Sequence, residues 1–144
     1  MDVLFSASSL LVMPAWVLMI LLPRWSFTLK VMRSALIVLP IALLYAVLVV
    51  PVIPSALSSL MQPQLADIAA MLGTPEGATV GWIHFLAFDL FVGRFVFLDA
   101  RERGISSWVV SPLLFLTLMF GPLGLATYLL LRMAWPTPTP ATAQ

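Results

Sequence analysis

The sequence predicts an all-α integral membrane bundle of four transmembrane helices, with a short interfacial helix between the second and third. Three observations predict it. Hydrophobic residues make up 62% of the 144-residue chain and charged residues only 9%, against about 25% charged in a soluble domain. Mean hydropathy is +1.09, and a soluble chain this small cannot bury so much apolar surface. Four apolar runs each reach the ~20 residues a helix needs to cross a ~30 Å hydrocarbon layer, and none alternates like the strands of a membrane barrel.

The first span runs from about Val3 to Leu22. The chain opens Met1-Asp2, without a basic stretch or a small-residue cleavage pattern, so this segment is read as a helix and not as a signal or transit peptide. The second span runs from about Ser34 to Ile53. Pro14 and Pro40 fall inside these two spans, where proline is commoner than in soluble helices. Residues 54–79 are too long for a plain turn. Pro63 can open a short helix ending at Gly73, with Leu65, Ile68, Ala69 and Leu72 on one face. It reads as a surface-lying helix, or as a lid over a site.

The third span runs from about Val80 to Leu98 and the fourth from about Trp108 to Leu131. Residues 1–135 form one transmembrane domain, and the Pro/Thr-rich stretch 136–144 reads as a disordered tail. There is no internal repeat.

Charge orients the bundle. Arg24, Lys30 and Arg33 lie in or beside the first loop and Arg101 and Arg103 in the third, whereas the second loop carries only Asp67 and Glu76. The positive-inside rule then puts loops one and three in the cytoplasm and both termini on the other side, with Arg132 as the exception. Trp25, Trp82, Trp108 and Trp135 each sit at an expected helix end, as interfacial indoles do. No basic patch suits nucleic acid, so the expected partners are the lipid bilayer and a lipophilic small molecule, with a homo-oligomer left open.

The third span carries the polar anomalies: His84, Asp89 and Arg94, with Asp99 just beyond. Intramembrane charge costs about 2.5–3.5 kcal/mol on insertion scales and is a functional hypothesis by default. Arg94 can snorkel to the headgroups and His84 can stay neutral. Asp89 lies nearest the middle of the span and needs a proton, a partner or a polar cavity. At ~100° per residue, His84, Asp89 and Arg94 follow one another about 140° apart, so no two share a face and protein must surround this helix on several sides. Asp99 and Arg103 have the i, i+4 spacing of a surface ion pair.

In the fourth span, Thr117, Gly121, Gly124 and Tyr128 form a stripe of small and hydroxyl residues expected to face the third span, either as a site wall or as a packing seam. Pro122 frees a backbone carbonyl near Leu118 and predicts a kink. With no cysteine and one histidine, thiolate chemistry and a multi-histidine metal site are excluded, and no cofactor or metal is expected. No phosphate loop or nucleophile motif occurs. Channels and pumps carry polar groups on several helices, which leaves transport a weak reading.

The stretch Gly81-Trp-Ile-His-Phe-Leu-Ala-Phe-Asp-Leu-Phe-Val-Gly-Arg94, followed by Asp99-Ala100, Gly104-Ile105, Phe120-Gly-Pro-Leu-Gly-Leu125 and Tyr128, resembles the abscisic-acid-deficient-four family. That family is named after a plant plastid membrane protein required for neoxanthin synthesis and has many bacterial relatives. The resemblance covers the whole length and implies a bacterial-type member in the inner membrane with a carotenoid or related isoprenoid as ligand. The plant role implies isomerisation of a carotenoid epoxide to an allene and a tertiary alcohol. Asp89 and His84 would then be the acid/base groups, and Arg94 would hold Asp89 or stabilise oxyanion charge. Trp82, Phe88, Thr117, Gly121, Gly124 and Tyr128 would line the ligand cavity. The alternative is a non-catalytic scaffold or pigment- or lipid-binding protein in which Asp89 and Arg94 clamp helices together.

Overall fold

A computed structural model describes residues 1–54, 57 and 61–135. The expected tail, 136–144, lies outside the described residues, as do residues 55, 56 and 58–60. Among the described residues there are helices and turns and no strand. Three helical segments are long and apolar enough to cross a membrane: Asp2–Leu21, Ala35–Val52 and Pro75–Glu102.

Helix α1 (Asp2–Leu21) stops before Pro23. An eight-residue helix that sequence patterning missed, α2 (Ser26–Arg33), follows at once. The buried Thr28 and Met32 form its inner face, and the Thr28 hydroxyl donates to the Leu22 carbonyl at 2.8 Å. The second span is a composite. A 3-10 turn (Ala35–Val38) leads into α3 (Leu39–Val49), and a second turn (Val50–Val52) follows. Pro40 and Pro51 stand in the first turn of their elements, where a missing N–H costs nothing. Pro40 therefore starts a helix instead of kinking one. Only Ile41 of α3 is fully buried; Leu44, Tyr45 and Leu48 pack partly against the core, and the opposite face is exposed.

The short helix expected between the second and third spans is present as α4 (Leu65–Leu72), without a buried residue. It docks on the start of α5 (Pro75–Glu102), where a Cβ at Gly77 would lie 2.8 Å from the Met71 carbonyl carbon. Thr74 caps α5, accepting from the Gly77 N–H at 3.0 Å. Helix α5 is the central element: α1, α2, α3 and α4 all pack on it, as does the chain after it. That matches the expectation from its dispersed polar residues. Gly93 lets the buried Trp16 of α1 lie flat on α5, since a Cβ there would come 2.8 Å from Trp16 Cζ3.

The end of α5 explains the Gly104-Ile105 pair. Gly104 adopts φ +69°, the Gly104 N–H bonds the Arg101 carbonyl and the Ile105 N–H reaches back to Ala100 at 2.9 Å. This is a Schellman stop, and it needs glycine at the left-handed position.

The fourth span departs most from expectation. It is two helices, α6 (Ser107–Met119) and α7 (Gly121–Met133), broken at Phe120 with φ −143° and ψ 65°. Each has 13 residues, ~20 Å of rise. A Cβ on Gly124 would lie 2.5 Å from Thr117 Cα, although residues seven apart in one straight helix stand ~10 Å apart. The chain therefore doubles back. Tyr128 and Arg132 of α7, and Trp135 beyond it, all reach Asp99 or Arg103, just before α6 begins. In place of one continuous fourth helix there is a hairpin of two helices that begins and ends at the same end of α5. Pro122, with no N–H to give the Leu118 carbonyl, stands in the first turn of α7, where the break at Phe120 leaves no bond unmade.

Two orientation readings change with it. The described chain ends at Trp135 beside Arg103, whereas Phe5 stacks on Trp82 at the opposite end of α5, with ring centroids 5.2 Å apart. Within the described residues, Phe5 and Trp135 therefore lie at opposite ends of α5, where the sequence placed both termini together. Arg132 is no longer an exception. It joins Arg24, Lys30, Arg33, Arg101 and Arg103 at one end, with Arg101 donating to the Pro23 carbonyl and Arg94 reaching down to the Arg33 carbonyl, both at 3.0 Å. A cysteine-free chain makes this testable. Ser106→Cys and Ala134→Cys are expected to react with an impermeant maleimide from the same membrane face, and Gln64→Cys from the other. A continuous fourth span would put Ala134 with Gln64.

Candidate functional site

Trp82 and Arg103 are 21 residues apart on and just past α5, ~31 Å along its axis, which matches the hydrocarbon thickness. Asp89 lies about 10 Å below the Trp82 level, and the hairpin tip stops against it. A Cβ on Gly121 would fall 2.7 Å from Asp89 Cγ, so glycine at the first position of α7 is what lets the carboxyl group sit there. No described residue donates a hydrogen bond to Asp89 or pairs with it. The group facing it is the start of α7, whose helix dipole favours negative charge. A discontinuous membrane helix with its amino end at a buried polar group is a recurring way to build an intramembrane site.

Because the hairpin ends there, one face of α5 beyond it stays uncovered. Phe85 and Phe88 are each 59% exposed on that stretch, and Phe120 at the tip is 62% exposed. His84 borders the same face on the side of α3. Its ring lies 4.7 Å from Phe88 and 5.4 Å from Tyr45, centroid to centroid. Phe85 and Phe88 thus stand between His84 and Asp89, with the latter half-buried against the hairpin. The two titratable groups do not touch.

The other sequence-selected residues go elsewhere. Arg94 donates through Nη2 to the Arg33 carbonyl at the end of α2, and its buried Nε has no partner. It neither holds Asp89 nor clamps it. Trp82 binds α1, donating to Ser9 Oγ at 2.9 Å. Thr117 and Gly124 press on each other inside the hairpin and leave no space to line. Tyr128 is fully buried and donates its hydroxyl to Asp99. Of the expected stripe, Gly121 and Tyr128 meet α5, while Thr117 and Gly124 form a seam.

The polar clamp is Asp99, which the sequence offered only as half of a surface pair. Its Oδ2 accepts from Arg103 Nε at 2.8 Å and from the Tyr128 hydroxyl, and Arg132 lies 3.4 Å from Oδ1. Arg103 also donates to the Trp135 carbonyl at 2.8 Å, and the Arg132 guanidinium stands 5.8 Å from the centre of the Phe95 ring. One carboxylate therefore ties the returning leg of the hairpin, α7, to the end of α5. The misplaced Arg132 was the available signal. Among the described residues, no group of three acidic, histidine or cysteine side chains is placed to hold a metal.

Comparison with known proteins places these features in a family context. The ABA DEFICIENT 4-like family model matches residues 3–128. The chain is 31% identical over 131 residues to Protein ABA DEFICIENT 4, chloroplastic, of Arabidopsis thaliana, covering 86% of this chain and 58% of that protein. It thus spans little more than half the length of that curated relative. No solved structure matches it. A match running from the first turn of α1 to Tyr128, through the α5 polar positions and the hairpin break, shows that the chain belongs to the ABA DEFICIENT 4-like family.

Proposed function

We propose that this protein is a multi-pass membrane protein that takes a carotenoid or related isoprenoid from the bilayer and acts on it beside Asp89. The observation that carries this reading is an unpaired, half-buried carboxyl group at the edge of an exposed Phe85–Phe88 face. That face is open to lipid because the hairpin stops short of it. A polyene ring could reach this face laterally, without an aqueous entrance. Kinship with a protein named for abscisic acid deficiency, itself an isoprenoid-derived deficiency, supports the ligand class.

The reaction that fits is isomerisation of a carotenoid epoxide. A carbon–oxygen bond of the epoxide breaks, its oxygen gains a proton to become a tertiary alcohol, and a neighbouring vinylic proton leaves to complete an allene. One group must donate and another accept, with no net redox change. Asp89 and His84 take those roles from opposite borders of the aromatic face, separated by ~7.5 Å along α5. By the positive-inside rule the arginine-rich end faces the cytoplasm, and the active face lies toward the other side. The proposed residence is a bacterial inner membrane.

The aromatic surroundings of His84, with Tyr45, Phe85 and Phe88 about it, favour one second reading: a pigment-binding protein without chemistry. Expression in a host that accumulates epoxidised carotenoids separates the two. The enzyme reading expects a new allenic carotenoid in the pigment profile. Binding alone expects an unchanged profile and a coloured polyene co-purifying with the protein. If neither occurs, the proposal fails.

A further inference from the structure

At the arginine-rich end, between the last turn of α1 and the first two turns of α6, lies a cleft of about 660 Å³. That volume is in the range of small-molecule sites, ~300–1,000 Å³. It is remote from Asp89 and owes nothing to the reading above. Its walls are apolar, from Leu21 and Leu22 on one side and Pro112 and Phe115 on the other. Ser111 joins them at the floor, donating to the Ile20 carbonyl at 2.9 Å and so closing the α1 end without an open polar group. From Ser107 to Phe115 the α6 wall rises ~12 Å, the depth of the upper part of an acyl chain.

The mouth has a different character. Trp25 and Trp108, 51% and 80% exposed, flank it at the level where indoles sit among headgroups. Between them is Arg24, an exposed guanidinium for which no described residue supplies a hydrogen bond or an ion pair. No acidic residue lines the cleft. Three of the other basic side chains of this end are engaged: Arg101 is bonded to Pro23, and Arg103 and Arg132 to Asp99. Lys30 and Arg33 are exposed at the same end but line no part of the cleft, so Arg24 is the cation at the mouth of this apolar slot.

We propose that this cleft is a binding site for an anionic phospholipid, its phosphate held by Arg24 between the two indoles and one acyl chain laid along Pro112 and Phe115. A zwitterionic lipid fills the slot equally well but brings its own cation to Arg24, so the site selects by headgroup charge. One arginine near an anionic surface contributes ~1 kcal/mol, which amounts to about a fivefold preference.

The test is tryptophan quenching in phosphatidylcholine vesicles containing a small fraction of lipid with brominated acyl chains, as either phosphatidylglycerol or phosphatidylcholine. Brominated phosphatidylglycerol is expected to quench the wild-type protein at about one-fifth of the mole fraction that brominated phosphatidylcholine requires. Replacing both indoles of the mouth, Trp25→Phe with Trp108→Phe, should remove most of the selective component, which assigns it to the cleft. Arg24→Gln should abolish the preference, and Lys30→Gln, an equal loss of charge at the same end but outside the cleft, should keep it. Circular dichroism checks that each variant stays folded; both altered side chains are exposed. Equal quenching by the two lipids overturns the site. So does a selective component that survives the double Trp25→Phe, Trp108→Phe replacement, or a Lys30→Gln effect as large as that of Arg24→Gln.

Discussion

Asp99→Ala is expected to destabilise the protein by about 3 kcal/mol and to free the hairpin from α5. Removing one member of a buried ion pair costs ~3–5 kcal/mol because the other charges are left uncompensated. The side chains here are 10–28% exposed, which puts the effect at the low end of that range. Asp99 also accepts the hydroxyl of Tyr128, and a fully buried phenol without an acceptor adds its own desolvation penalty. Two arginines would be left near one another with no carboxylate between them. The measurement is a thermal or denaturant melt in detergent micelles, together with protease sensitivity at the Trp135 end. Tyr128→Phe removes only one of the bonds and should cost about 1 kcal/mol. If Asp99→Ala melts like the wild type and its Trp135 end stays protected, the hairpin is held by apolar packing and the clamp is incidental.

How much of this was legible in the sequence follows from what hydropathy measures. It reports whether a segment can leave water, not the direction in which it runs. Residues 108–131 are apolar throughout, and one helix of 24 residues gives the same profile as two helices of about half that length folded together. Pro122 announced a break but not its angle; the angle depends on Gly124 lying on Thr117, a contact between residues seven apart that no straight helix makes. The one sequence feature that pointed to the hairpin was Arg132 on the wrong side of an otherwise consistent charge pattern. Helix α2 escaped for a related reason. Eight residues with Lys30 and Arg33 in their last turn look like a charged loop until Thr28 and Met32 are seen to be buried. The angular reading of α5 succeeded because it rests only on helix geometry: three polar residues about 140° apart must face three neighbours, whatever those are. They proved to be α3 at His84, the hairpin tip at Asp89 and α2 at Arg94.

The largest effect on activity is expected from Asp89→Asn. The substitution keeps the shape of the side chain against Gly121 and removes its capacity to exchange a proton. On the acid/base reading, turnover of the epoxidised substrate should fall by about 10²–10⁴-fold, the usual contribution of a positioned acid or base. Stability should move the other way or not at all. A charged carboxylate in the hydrocarbon layer carries an insertion cost of about 2.5–3.5 kcal/mol. The amino end of α7 offsets only part of that, ~2 kcal/mol in the most favourable partly buried geometry. With no described residue paired to Asp89, no ion pair is lost with the charge. His84→Ala should lower turnover by a similar factor, and since His84 is exposed and stacked only on aromatic rings, it too should leave the melt nearly unchanged. A residue that clamped the fold would show the reverse pattern, with poor accumulation and an early melt alongside any loss of activity. Asp99→Ala supplies that pattern as an internal reference, since Asp99 lies ~15 Å further along α5 and touches none of the Phe85–Phe88 face. If Asp89→Asn resembles Asp99→Ala, the carboxyl group at the hairpin tip is structural. If it accumulates like the wild type and converts nothing, Asp89 belongs to the chemistry.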